Sequence, residues 1–110
     1  MINGIHLPPK RRRWCGLEFR DDTYFLKSAV EEAKRLKLEF GIENMDNITD
    51  IGCGFGRLPI GIMKVFDSIN YVGIDVHKPS IDWCNRFIAK KRADINFIYL
   101  NIKNDRYNYK

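Results

Sequence analysis

The sequence predicts an α/β fold in which parallel strands alternate with helices, and three observations predict it. Short β-branched and aromatic runs at 47–51, 71–75 and 95–100 alternate with segments of three- and four-residue apolar period. The run Asp50-Ile51-Gly52-Cys53-Gly54-Phe55-Gly56 sets closely spaced glycines between a strand and a helix. Glycine tolerates positive φ and lets the backbone approach a ligand, so such a passage makes room for a nucleotide. Finally, the second strand ends on an acid, Asp75, 19 residues after Gly56, the spacing at which a ribose-binding carboxylate follows a glycine loop.

Residues 1–21 have no period. Pro8-Pro9 forces an extended entry; Lys10-Arg11-Arg12-Arg13 and Trp14-Cys15-Gly16 follow, and the stretch reads as an arm lying over a domain of residues 22–110. From Asp22, the positions Leu26, Ala29, Val30, Ala33, Leu36 and Phe40 form one helical face. Asp21 or Asp22 suits the N-cap, Gly41 suits a left-handed C′ residue, and Glu31–Arg35 stands at i,i+4 spacing. After a connector, Asn47–Ile51 reads as a first strand buried on both sides. A second helix runs from Arg57 to Asp67 and is nearly all apolar. Pro59 is tolerated in its first turn. Gly61 costs about 1 kcal/mol against alanine and marks a close helix–strand crossing.

Tyr71–Asp75 is the second strand. The third helix starts with Pro79 at N1 and runs to Arg92, with Asp82–Arg86 as its i,i+4 pair. Ile95–Leu100 is the third strand, and the chain turns polar from Lys103 to Lys110. The order is a helix followed by β-α-β-α-β. Right-handed crossovers then give a Rossmann-like parallel sheet, one mononucleotide-binding half of a doubly wound fold.

A chain of 110 residues makes one small domain or a piece of a larger one. Apolar residues at 45% and charged residues at 30% argue against disorder. No apolar run is long enough for a membrane span, and the first residues lack a signal-peptide layout, so the expected compartment is the cytoplasm. Cys15, Cys53 and Cys84 are widely separated, with no C-x-x-C or Cys/His cluster; reduced thiols and no metal site are expected. Net charge is +5, concentrated in Lys10–Arg13 and Lys90-Lys91-Arg92. Such clusters can attract anionic partners, but more often are solvated loop and helix-end residues.

Open α/β sheets bind ligands at the carboxyl ends of their strands. The glycine loop, Asp75 and Asn101 all fall there. Asp75 is placed to accept hydrogen bonds from ribose hydroxyls and to repel a 2′-phosphate. Asp50, just before the first glycine, needs hydrogen-bond partners or a cation. It is unfavourable opposite a pyrophosphate and favourable opposite an ammonium or sulfonium. Arg57 stands where the dinucleotide fingerprint G-x-G-x-x-G has its third glycine. Cys53 has no histidine near it in sequence, since His6 and His77 are the only ones, and reads as a small spacer with a backbone role. His77 is expected at the cleft rim or exposed, and Trp83 and Phe87 in the core.

Thr49-Asp50-Ile51-Gly52-Cys53-Gly54-Phe55-Gly56 resembles motif I of the class I S-adenosylmethionine-dependent methyltransferases. Tyr71-Val72-Gly73-Ile74-Asp75 looks like their second motif, and Phe97–Ile102 like the end of their third strand; the likeness covers roughly residues 22–102. The resemblance implies S-adenosylmethionine as cofactor. It implies that Asp50 orients the methionine ammonium, that Gly52, Cys53 and Gly54 border the methionine and ribose, and that Gly56 starts the helix beneath. Asp75 would hold both ribose hydroxyls and Val76 would pack on the adenine. The family usually has aspartate at position 101; Asn101 can still accept from the adenine amino group through its carbonyl oxygen, and the Ile102 N–H is left for a ring nitrogen.

The resembling fold has about seven strands, and the segment that carries its acceptor and catalytic groups follows the third. The chain is therefore expected to be the N-terminal, cofactor-binding portion of a truncated methyltransferase fold, and no catalytic residue is named. The open sheet edge invites pairing, so either a fragment or a homodimer through that edge is expected. A small-molecule, lipid or glycan methyl acceptor is favoured over nucleic acid. The rival readings are an NAD-type dinucleotide-binding oxidoreductase, against which Arg57 and Asp50 count, and a non-catalytic remnant of the methyltransferase fold.

Overall fold

The computed structural model of the protein describes residues 4–14 and 16–102. The expected thiol at Cys15 and the polar tail 103–110 lie outside the described residues. The helix α1 (Asp22–Glu39) precedes β1 (Asn47–Ile51), α2 (Arg57–Val65), β2 (Asn70–Asp75), α3 (Lys78–Cys84) and β3 (Ile95–Tyr99). Before them, 3₁₀ turns form at Lys10–Arg12 and Leu17–Arg20. The strands make one parallel sheet in the order β1-β2-β3, with Asp50 opposite Gly73 and Gly73 opposite Phe97. The Rossmann-like α/β arrangement expected from the alternation is therefore what the chain forms. None of the described helices is long and apolar enough to cross a membrane.

Because the chain moves in one direction through the sheet, right-handed crossovers put α2 and α3 on the same face. On that face Tyr71, Gly73, Ile95 and Phe97 are buried, and Ile60, Ile62, Ile81, Cys84 and Ile88 close over them. Helix α1 packs on α2 instead of on the sheet. Its buried residues are Phe25, Ala29 and Ala33, whereas Phe40 is 68% exposed. The Asp21 side chain caps the helix by accepting from Tyr24 N–H at 2.8 Å, and Gly41 closes it at φ 68°.

Several expectations are corrected. Strand β1 is not buried on both sides: Asn47, Thr49 and Ile51 are exposed, with Ile51 at 77%, because the helices cover one sheet face. Gly61 marks a helix–helix crossing, not a helix–strand one; a Cβ there would come within 1.9 Å of the Ala29 carbonyl oxygen of α1. Helix α2 stops at Val65, since Phe66 is already extended at φ −115° and ψ 134°. The third helix does not continue in α form to Arg92 but widens into a π turn over Asn85–Ala89. The helix-surface pairs fall one turn away from those expected: Arg35 bonds Glu39, and Asp82 bonds Lys78. Either register satisfies the i,i+4 rule, so spacing alone leaves the partner open.

The two basic clusters are not simply solvated. Arg13 is only 7% exposed. Its guanidinium donates to the carbonyls of Pro8, Phe19 and Arg20 and to Asp22 Oδ1 at 2.8 Å, and lies 4.7 Å from the Phe25 ring centroid. This holds the Asp22 carboxyl below its ordinary value, chiefly through the Arg13 hydrogen bond. At the other cluster, Arg92 grips Asp94 through two bonds and donates to the Phe66 carbonyl at 2.7 Å. Arg13 ties the arm to the start of α1, and Arg92 ties segments distant in sequence.

Candidate functional site

The carboxyl ends of β1 and β2 open onto two adjacent cavities of about 260 and 620 Å³. Gly52, Gly54 and Trp14 border both. Gly52 and Gly54 have φ of 80° and 57°, and a Cβ on either would meet nothing within 4 Å. These glycines thus satisfy a left-handed backbone and leave the cavity floor bare. Gly56 serves differently. At φ 84° it starts α2, and a Cβ there would strike Ile88 Cδ1 at 2.5 Å.

Four of the loop's N–H donors are spent inside the protein. Gly52 N–H and Cys53 N–H both donate to the Ile74 carbonyl, Gly56 N–H donates to that of Cys53, and Gly54 N–H donates to Asp75 Oδ2 at 2.8 Å. A pyrophosphate site needs such N–H groups aimed at the ligand. Four of them are unavailable here, which argues against a dinucleotide independently of Arg57. That arginine pairs with Glu32 of α1 and lies over the Phe19 ring, holding the start of α2 to the helix beside it.

Asp75 is held from both sides. Its Oδ2 accepts from Gly54 and its Oδ1 from His77 N–H at 2.8 Å. Each carboxylate oxygen retains a second lone pair for a ligand hydroxyl. His77 itself sits at the rim, as expected: it is half-buried, its Nδ1 is 2.7 Å from Ser80 Oγ, and its ring packs edge-on against Trp14 and Phe55.

Asp50 is half-buried on the helix-facing side of β1 and borders the smaller cavity. Its Oδ2 accepts from Tyr71 Oη at 2.7 Å. Tyr71 is fully buried; burial and the neighbouring Asp50 push its hydroxyl pKa up, so it remains a donor. Burial, then Asp50 and Asp75, push the Cys53 thiol up to about 12. At neutral pH it is no nucleophile, in keeping with a spacer role.

Val76 and Ile102 line the larger cavity together with Ile74 and Leu100. Asn101 is not among its lining residues. It is exposed, and its Oδ1 accepts from Tyr99 Oη at 3.3 Å. The structure therefore brings Asp50, Gly52, Cys53, Gly54, Asp75, Val76 and Ile102 to the cavities, and leaves Asn101 beside them.

Tyr71, Arg12 and Trp14 were not expected at the site. Tyr71 was findable, because Gly73 lies opposite Asp50 and a tyrosine two residues earlier shares its sheet face. The arm gave no such signal. Trp14 packs edge-on at 5.6 Å from Phe55, and Trp83 lies 6.2 Å from the same ring. Trp83 and Phe87 thus join a half-buried aromatic row instead of the core proper.

Residues 44–107, more than half of the chain, match a family described as "Putative methyltransferase". An uncharacterized protein of Methanocaldococcus jannaschii is 32% identical over 68 residues, which are 60% of this chain and 31% of that protein. Among solved structures, an S-adenosyl-L-methionine-dependent methyltransferase of Methanococcus maripaludis, described as putative, superposes with a TM-score of 0.62. The superposition covers 76% of this chain and 37% of that one; at 24% identity the likeness bears on the fold. The chain thus spans about a third of the length of these relatives. A glycine loop stitched to β2, an acid on either side of it and the match over residues 44–107 agree, and the chain belongs to this methyltransferase family.

Proposed function

We propose that this chain binds S-adenosylmethionine and forms the cofactor half of a methyltransferase. One observation carries the reading: the Asp75 carboxylate is fixed at the cleft by Gly54 and His77 N–H groups, beside a loop that has turned four of its own N–H groups inward. The ribose hydroxyls of the cofactor donate to Asp75, and the adenine lies along the apolar wall of Val76 and Ile102 in the larger cavity. The Ile102 N–H serves a ring nitrogen. Asn101 reaches the adenine amino group only if its side chain leaves Tyr99. Gly52, Cys53 and Gly54 border the span between ribose and methionine, and Gly56 starts the helix below. Asp50, steadied by Tyr71, faces the methionine ammonium.

The cofactor supplies a methyl group on a positively charged sulfur. The chain's part is to hold that group in line with an acceptor, and alignment of this kind contributes roughly 7–11 kcal/mol to such displacements. Asp50 and Asp75 also place negative charge near the sulfonium. The acceptor is a small molecule, lipid or glycan, and the acceptor-binding groups belong to a part of the enzyme beyond residue 102. The uncovered edge and face of β1 are where a further strand, or a second copy, would pair. The arm of residues 1–21 and the domain of 22–110 act as one unit, latched by Arg13.

Calorimetric titration of the full-length protein with S-adenosylhomocysteine tests the cofactor assignment. Saturable one-to-one binding is expected, weakened more than tenfold in Asp75→Ala, about the effect of losing a charge-assisted hydrogen bond. A folded protein that does not bind, or an Asp75→Ala variant that binds as tightly, would sink the assignment.

A further inference from the structure

Resting on that reading, the charges around the smaller cavity identify a further ligand-holding residue, on the arm. Five charged side chains border this cavity: Arg12, Arg13, Glu32, Asp50 and Arg57. Arg13 is consumed by three carbonyls and Asp22. Glu32 and Arg57 neutralise each other. Asp50 spends one oxygen on Tyr71 and has no cationic partner among the described residues. Arg12 is half-buried and has no carboxylate partner among them either; its guanidinium lies 6.0 Å from the Phe55 ring centroid. The pocket thus presents one uncommitted anion and one uncommitted cation that do not bond each other.

We infer that Arg12 binds the carboxylate of the ligand's α-amino-acid end, opposite Asp50 at its ammonium. A zwitterion is the group whose two charges match this pair. A phosphate would meet Arg12 but be repelled by Asp50, and a simple amine would leave Arg12 half-buried without an anion. The planar guanidinium suits a carboxylate, to which it can donate through two N–H groups. The arm presents it in a defined place. Arg12 closes a 3₁₀ turn through its N–H to the Pro9 carbonyl at 2.9 Å, and the adjoining Arg13 is bolted to the domain. The arm is then a wall of the cofactor site, specific for the amino-acid tail.

The test compares S-adenosylhomocysteine with 5′-methylthioadenosine, which has the same nucleoside and no amino-acid end. Calorimetry on the full-length protein would use the wild type, Arg12→Met, which keeps an unbranched stem against Phe55, and Arg12→Lys. Arg12→Met is expected to weaken S-adenosylhomocysteine roughly 10- to 100-fold and to leave 5′-methylthioadenosine unchanged. Arg12→Lys should recover part of the loss. Equal weakening of both ligands would show that Arg12 merely supports the arm and would overturn the inference, as would no weakening of either. Asp75→Ala separates the two claims, since it should weaken both ligands through the ribose. Failure of that variant to weaken either ligand overturns the cofactor assignment, and with it the inference.

Discussion

At the scale of residues, two arginines show how little a basic run discloses. Arg13 and Arg92 stand in clusters that look solvated, yet each is spent on a carboxylate and on carbonyls of other segments, Arg92 on its near neighbour Asp94 and on Phe66. Asp94 illustrates the energetic result. Its bonds from Arg92, with the Ile69 N–H, hold its carboxyl at about 2 against an ordinary value of 3.8. A carboxyl lowered by folding stabilises the fold above the unfolded-state value and loses that contribution as pH falls through the folded one. The clamp is therefore whole above about pH 4 and fades toward pH 2. In an acid titration followed by circular dichroism, Arg92→Met should begin to unfold at higher pH than the wild type; coincident midpoints would contradict this. The acids at the site were readable, since Asp50 and Asp75 end strands beside a glycine loop where the backbone dictates their position. Arg12 and Trp14 were not, because they lie on an aperiodic arm placed only by tertiary contacts.

Among the elements, alternation of period separated helices from strands correctly throughout, because each strand is short and β-branched and each helix has an apolar face. What misled was burial. Strand β1 carries apolar residues on both faces, but which face is covered depends on where α1, α2 and α3 lie, and local sequence does not encode that. Gly61 makes the same point with a measurable outcome. In an isolated helix, alanine would be favoured there by about 1 kcal/mol. In the protein, the Cβ would stand 1.9 Å from the Ala29 carbonyl oxygen, so α1 and α2 must separate. Overpacking of this kind costs typically 1–3 kcal/mol. Gly61→Ala should therefore lower the urea midpoint, with the slope unchanged; a raised midpoint would mean that the two helices do not cross so closely.

In the whole molecule, all the helices described lie to one side of the sheet, so Ile51, Ile74 and Ile98 form a row in register on the other. Ile51 and Ile98 are 77% and 46% exposed. An apolar row beside an unpaired parallel edge favours association. The 110-residue chain alone is expected to self-associate, with an apparent mass by light scattering that rises with concentration; a monodisperse monomer across a wide concentration range would rule this out. The loop that follows Ile51 behaves otherwise. This glycine loop has four of its amides bonded to Ile74, Cys53 and Asp75 before any ligand arrives. Ordering a flexible backbone costs about 1–2 kcal/mol per residue, and this loop has already lost that freedom on folding. A ligand therefore meets a rigid seat, and its affinity need not be spent on arranging the loop that receives it.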